Sequence, residues 1–423
     1  MVYWQQNYRM TSTPTPPGKF AALRDRGFRY FVLLSAAAML ADNVEHVITY
    51  YAAFRRFHSP MLGGFAVIAH WVPYLLFSIP IGGLTDRFDP RRLIQIGMLL
   101  FIGVSLTWGV LILTDTLQIW HAEVLLVLHG LAGVFWSAPS QVLLYDIVGP
   151  AKIESAVRLN ATMRYLGMLI GPALGSLLLL SAGAPRGLFI NAMIYVPFFL
   201  WLCTAPYGPK FRAGGAVVRP ALRGFADVIA TFKAVRNNRV LVSMMLLSGG
   251  AALIIGNAYQ AQMPQYAQDL QHGDAGFMYG MLLAADALGA LLGGVALETS
   301  GGLRSRPVTA IMLAMLWCAA LCGFALSHSY VLAVACLFAA GFLELSFNSM
   351  SMALIQLNAP NEIRGRVIGV YTMASLGART FSGVSVGLLG GLIGVHLSLG
   401  VSALVLAGGL ALLWRVCSGS QVG

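Results

Sequence analysis

Five consecutive residues, Asp42-Asn43-Val44-Glu45-His46, bring together two carboxylates, an amide and an imidazole. On a helix Asp42 stands three residues from Glu45 and four from His46, so the three side chains share one face. The run Tyr30–Phe54 around them is otherwise apolar, and Asp42 lies about 18 Å along it from Tyr30 at 1.5 Å per residue. An imidazole titrates near neutrality, and carboxylates beside it can accept and return a proton. That is the chemistry of a proton carrier; the alternative is a polar clamp between helices. Asp286, Glu344 and Arg379 also stand deep in apolar runs, and Asn348 lies one turn from Glu344. A charge at the centre of a membrane span costs about 2.5–3.5 kcal/mol, so each marks a functional position or a deliberate helix pairing. Arg379 is expected to pair with Glu344 or Asp286, either as a switch broken by protonation or substrate, or as a permanent ion pair of little net stability. Asn257 and Gln260 lie in the polar outer half of another run, where they can line a cavity or mark a helix end.

Other polar residues invite simpler readings. Arg164, two turns into its helix, is expected to snorkel towards the cytoplasm. His70, His129 and His396 stand alone in the sequence and read as packing or hydrogen-bonding residues. The five cysteines fall within or beside apolar runs and read as small hydrophobes without redox or metal roles. No nucleophile–base arrangement, zinc spacing or phosphate-cradling loop is present, which argues against an enzyme, a bound metal or another cofactor.

The elements that must position these residues follow from composition. Hydrophobic residues make up 58% of the 423 and charged residues only 10%, with a mean hydropathy of +0.74. A soluble domain averages about 25% charged residues. A bilayer span takes about 20 apolar residues, and the chain offers twelve runs of that kind. They are Tyr30–Phe54, Met61–Leu84, Leu93–Leu113, Trp120–Tyr145, Val157–Leu180, Leu188–Ala205, Val240–Tyr266, Ala275–Leu297, Pro307–Leu326, Tyr330–Leu357, Arg364–Leu392 and Leu397–Trp414. The third, sixth, ninth and twelfth contain no Asp, Glu, Lys or Arg and are expected to face lipid.

With both termini in the cytoplasm, only Arg55, Arg56 and Arg186 of the 27 Lys and Arg residues face outward; Arg164 and Arg379 lie within spans and the other 22 are cytoplasmic. This asymmetry fixes the orientation, and it explains the net charge of +11 without nucleic acid. Residues 1–27 read as a disordered cytoplasmic arm, 28–205 as one six-helix bundle, 206–239 as a central cytoplasmic loop, 240–415 as a second bundle and 416–423 as a tail. Ala221–Val235 in the central loop suits an amphipathic surface helix. A shift of 210 residues lays Pro150–Gly167 on Pro360–Gly377 with seven of 18 positions identical, and a shift of 211 lays Gly82-Gly83 on Gly293-Gly294. Parallel repeats of this kind place a substrate site between the halves near mid-membrane.

The turn Gly82–Arg92, GGLTDRFDPRR, resembles the loop between the second and third helices of the major facilitator superfamily, G-x-x-x-D-[RK]-x-G-[RK]-[RK]. Gly82, Asp86, Arg87 and Arg91 fill matching positions, while Asp89 takes the second glycine's place and Pro90 a basic one. The form DRFDPRR is similar to the efflux branch of macrolide and siderophore exporters. The resemblance implies that Asp86 meets the start of the eleventh helix near Arg364–Arg366 when the protein faces outward, making the loop a conformational latch. Gly167, Gly171, Pro172 and Gly175 resemble the GPxxGG motif of superfamily exporters, with Ser176 in the last glycine's place; close helix packing is the alternative reason for them.

The expected fold is therefore all-α and integral to the membrane, with twelve transmembrane helices in two pseudo-symmetric six-helix bundles. The expected activity is secondary transport by alternating access in the cytoplasmic (inner) membrane. It is read as proton-coupled export of a small, moderately hydrophobic drug, toxin or siderophore, with substrate contacts from the first, fourth, seventh and tenth spans. Asp42 is the first choice for the coupling carboxylate, followed by Glu45, Glu344 and Asp286. The partners are a small-molecule substrate, protons and the bilayer; the proton gradient supplies the energy, and a single copy suffices. Proton-coupled nutrient uptake, lipid movement and a non-transporting sensor or scaffold are the rival readings.

Overall fold

The computed structural model describes residues 19–57, 60–211, 225–256, 258–261, 263–270, 275–300, 305–382 and 389–418. Most of the expected N-terminal arm, the centre of the loop between halves, the end of the tail, and Asn257 lie outside the described residues. The described end of the arm is ordered. Ala21–Arg24 form a 3-10 turn, and the Ala22 N–H donates to Ser155 Oγ at 3.1 Å.

The first half comprises α1 (Arg26–Phe57), α2 (Pro60–Thr85), α3 (Pro90–Leu113), α4 (Ile119–Val148) and α5 (Ile153–Thr204). Asp89 caps α3 by accepting the Arg91 N–H at 3.0 Å, and Pro90 takes the first helical position, where no N–H is required. The 52 residues of α5 are two passes, parted at Gly183, whose φ of 77° and ψ of 165° suit glycine alone.

The second half comprises α6 (Phe225–Val235), α7 (Arg239–Ile254), α8 (Ala258–Ala261), α9 (Met263–Asp269), α10 (Ala275–Ser300), α11 (Pro307–Ala325), α12 (Tyr330–Asn358), α13 (Arg364–Ser375), α14 (Leu389–Ile393) and α15 (Val395–Ser418). Helix α6 meets α7 at a bend of 118°, as a surface helix lying across the end of a span. Nine helices among the described residues are long and apolar enough to cross a membrane, one of them carrying the two passes of α5. The seventh and eleventh passes complete the twelve, but neither is the continuous span expected. The seventh stops at Ile254 and resumes as two short helices, and the eleventh passes from α13 into a 3-10 turn, Gly377–Phe381. Gly256, at φ 50°, lies against Ser382, so the two interruptions meet. Irregular backbone at membrane depth is tolerated where protein covers it or a cavity adjoins it.

The repeat is visible in the packing. α1 packs on α5 as α7 packs on α13, α2 on α4 as α10 on α12, and α3 on α4 as α11 on α12. Each half has its own apolar core, around Phe31, Phe101 and Tyr195 in the first and Trp317, Phe324 and Phe347 in the second. The two halves meet chiefly along α2–α13 and α5–α10, which the repeat makes equivalent. The charge-free passes stay peripheral and expose Leu99, Met193, Met312 and Leu404.

Candidate functional site

Between the halves lies a cavity of 430 Å³. The first and fourth passes line it, as expected, through Asp42, His46, Trp136 and Gln141, and the tenth through Asn348. The second, fifth and eleventh contribute His70, Trp71, Arg164 and Arg379, where the sequence reading favoured the seventh. The seventh pass instead acts from behind the wall, as described below.

In the first half the lining residues Asp42, His46 and His70 gather around His129, a residue that sequence alone marks as a packing histidine. Its Nδ1 lies 2.8 Å from Glu45 Oε1 and its Nε2 2.9 Å from Asp42 Oδ1. Glu45 is buried, and its other oxygen accepts from Ser105 Oγ and, at 3.4 Å, from Asn191 Nδ2. His46 Nδ1 lies 3.8 Å from Asp42 Oδ2. The His46 ring stands 4.7 Å from that of His129 and 5.1 Å from that of His70. Three imidazoles and two carboxylates from α1, α2 and α4 therefore form one cluster. Asn43, between Asp42 and Glu45 in sequence, also lines the cavity and donates to the Met39 carbonyl at 2.8 Å.

Behind the cavity wall of the second half, the described carboxylates Asp286 and Glu344 meet a phenol, an amide and a guanidinium. Tyr259 Oη donates towards Glu344 Oε2 at 3.4 Å and towards Asp286 Oδ1 at 3.5 Å, joining two buried carboxylates through one phenol. Gln260 Nε2 donates to Asp286 Oδ2 at 3.1 Å. Arg379 approaches Glu344 at 3.7 Å, the pairing expected, while its guanidinium lies 5.3 Å from the centre of the Trp71 ring in the opposite half. The break in the seventh pass places Tyr259 and Gln260 here, on the short helix α8.

Arg164 corrects a sequence expectation. Rather than reaching along its helix towards the cytoplasm, it lines the cavity with its guanidinium 5.3 Å from the centre of the Trp136 ring. The indole face offers this cation a desolvated electrostatic partner.

One end of the cavity is closed by contacts between the halves. Asp86 Oδ1 accepts the Gly365 N–H at 2.6 Å, and Oδ2 accepts the Arg366 N–H at 3.0 Å and its Nε–H at 3.3 Å. The carboxylate thus sits at the start of α13, where the helix dipole favours negative charge. Burial pushes the Asp86 carboxyl up from its ordinary value, against the pull of these donors. Gly82 and Gly365 make the approach possible, because a side-chain carbon on either would strike the other's carbonyl oxygen. Arg87 is half-buried beside Asp86, whereas Arg91 stays in its own half, paired with Asp89 and bonded to the Ala205 carbonyl. The equivalent crossing holds a pair that sequence reading missed: Arg158 Nε donates to Glu298 Oε2 at 2.9 Å, and Ser155 Oγ to Glu298 Oε1. Gln356 donates to Gln141 at 2.9 Å between them.

The glycines of the fifth pass face α1. A side-chain carbon at Gly171 would lie 2.5 Å from Asn43 Cβ, and Gly167 and Gly175 pack against Leu40 and Val44, while Pro172 is exposed. The row lets α1 and α5 approach closely, and so fixes how far Asp42 and His46 project into the cavity.

Comparison with known proteins agrees with this architecture. The family model described as Major Facilitator Superfamily matches residues 27–383. The enterobactin exporter EntS of Shigella boydii serotype 18 is 26% identical over 339 residues, covering 75% of this chain and 74% of that one. Among solved structures, the human organic anion transporter MFSD10 (TETRAN) superposes with a TM-score of 0.70 at 15% identity, over 92% of this chain and 99% of that one. A bacterial homologue of the iron transporter ferroportin, in its outward-facing state, gives 0.70 at 16% identity, over 94% and 100%.

Proposed function

Because the chain belongs to the Major Facilitator Superfamily, we propose that this membrane transporter exports a small, moderately hydrophobic compound by alternating access, in exchange for protons. The observation that carries the reading is the cavity between the halves, closed at one end by polar contacts that must part for the other state to form. Its wall mixes Trp71, Tyr74, Trp136 and Met168 with a few charged groups, a lining suited to a largely apolar compound with one or two polar anchors. The likeness to an enterobactin exporter supports the outward direction.

We assign the coupling proton to Asp286 and Glu344. Tyr259 links both carboxylates and Arg379 neutralises only one, so a single proton balances the group. Asp42, the first choice from sequence, already faces the His129 imidazole. The closed end carries Arg24, Arg87, Lys152 and Arg415; placing this basic side in the cytoplasm puts both termini there and makes the closed end the inner one. The glycine row of α5 and the Asp86 latch then serve export by setting the two ends of one rocking motion. The proton gradient of the inner membrane drives it, and one chain holds the complete pathway.

The test begins with an untargeted comparison of medium and cells with and without the gene, which should show a compound retained when the protein is missing. Purified protein should then concentrate that compound in vesicles with an acidic interior. Concentration in vesicles with an alkaline interior instead would overturn export by antiport.

A further inference from the structure

Two buried imidazole nitrogens lack an aligned hydrogen bond, Nδ1 of the cavity-lining His70 and Nε2 of His129 beside it. The second is 2.9 Å from Asp42 Oδ1, but off the line of its N–H. One nitrogen from each of His46, His70 and His129 lies within 4.8 Å of the others, at a point reached from three helices. An ion pair between His129 and its two carboxylates accounts for one imidazole. It gives no reason for two more to crowd against it.

We propose that His46, His70, His129 and Asp42 form a site for a divalent late first-row transition-metal ion such as Zn²⁺, reached from the cavity. Three imidazoles with one carboxylate are a borderline donor set that suits zinc, cobalt or nickel, and does not suit magnesium or calcium. Tetrahedral zinc with bonds of about 2.0–2.1 Å needs donors roughly 3.4 Å apart, so ring rotations of about 1 Å close the site. The surroundings already have the form that metal sites use. Glu45 faces His129 Nδ1 at 2.8 Å and is itself held by Ser105 and Asn191, which would fix the imidazole tautomer with Nε2 turned to the ion. Phe101 packs 4.9 Å from the His129 ring and stacks on Tyr195, keeping the far side dry. Asp42 and Glu45 supply two negative charges against the ion's two positive ones, so the loaded cluster is neutral at membrane depth. The proposal stands apart from the direction of transport and from the proton carrier.

The full chain, purified without a polyhistidine tag, is dialysed to equilibrium against Zn²⁺ and, separately, Co²⁺. One ion per chain is expected, with the intense visible bands of tetrahedral Co²⁺. Glu45→Gln should weaken binding about 10–100-fold, and His46→Gln and His70→Gln should each weaken it further while the protein still elutes as a single species. These variants leave His129 in place, because removing it would also strip the counter-charge from two carboxylates. Zinc binding equal in the wild type and a His46→Gln, His70→Gln double variant would overturn the site, as would Co²⁺ that remains octahedral. Export of the compound found above could fail without touching this result, because binding is read at equilibrium in the absence of any other solute.

Discussion

The two faces of the cavity come from one repeated scaffold and carry different chemistry. In the first half, continuous helices α1, α2 and α4 hold imidazoles against carboxylates, so that each negative group is close to a nitrogen donor. In the second half, the equivalents of α1 and α5 are interrupted, and the freed segment delivers Tyr259 and Gln260 to two carboxylates, one of which, Glu344, is approached by the Arg379 guanidinium. The two halves share the packing of helix on helix and differ in the residues they bring to the cavity. The proposed division is that the first face holds a ligand and the second changes its charge.

The sharpest way to break this contrast is to neutralise each face. Glu344→Gln or Asp286→Asn should reduce gradient-driven transport to background while exchange without a gradient continues; Asp42→Asn should weaken ligand binding and leave proton movement intact. Reversed phenotypes would exchange the roles of the two faces. Next in size is stability. His129→Leu leaves Asp42 and Glu45 without their shared partner and should cost about 3–5 kcal/mol, against about 1 kcal/mol for His70→Gln, compared by thermal unfolding in detergent. In the second half, Arg379→Gln and Glu344→Gln should each destabilise, and the double variant should recover about 0.5–3 kcal/mol of coupling; strictly additive losses would mean that the 3.7 Å approach is not a working pair.

Most of the scaffold was legible in the sequence because bilayer physics acts on composition. Apolar runs, basic loops and the 210-residue echo together prescribe twelve passes and two halves. The breaks in the seventh and eleventh passes were hidden, since hydropathy continues through Ile254–Ile255 and through Leu376 while the backbone departs from the helix. Pairings within a helix were readable, as with Asp42 and His46, and so were lone intramembrane charges. His70 and His129 gave no signal because they stand on separate helices and only tertiary packing joins them to α1. Glu298 was missed because the 211-residue shift that overlays the glycine pairs lays Asp86 on Leu297 and Arg87 on Glu298, so the repeat offers no acidic match at the Asp86 position.

Smaller effects probe how the scaffold sets the faces apart. Gly171→Ala pushes α1 away from α5 and should cost about 1–3 kcal/mol, with a matching loss of ligand affinity on the first face alone. Asp86→Ala removes the acceptor from the start of α13 and should cost the closed state about 0.5–2 kcal/mol, read as faster labelling of a cysteine placed at Thr85. Because burial raises the Asp86 carboxyl above its free value, the closed end binds protons more readily than the open one. Closure is therefore favoured at low pH and weakens as pH rises through that raised value. Labelling at Thr85→Cys should accelerate on the alkaline side in the wild type and lose this trend in Asp86→Asn.

The proton is the point on which the division of labour stands or falls. In proteoliposomes containing a pH-sensitive dye, wild-type protein exchanging the compound identified from cells should move protons opposite to it. Glu344→Gln should exchange the compound with no proton signal. Undiminished proton movement in Glu344→Gln and Asp286→Asn, with loss in Asp42→Asn, would contradict the assignment and return the coupling to the first face.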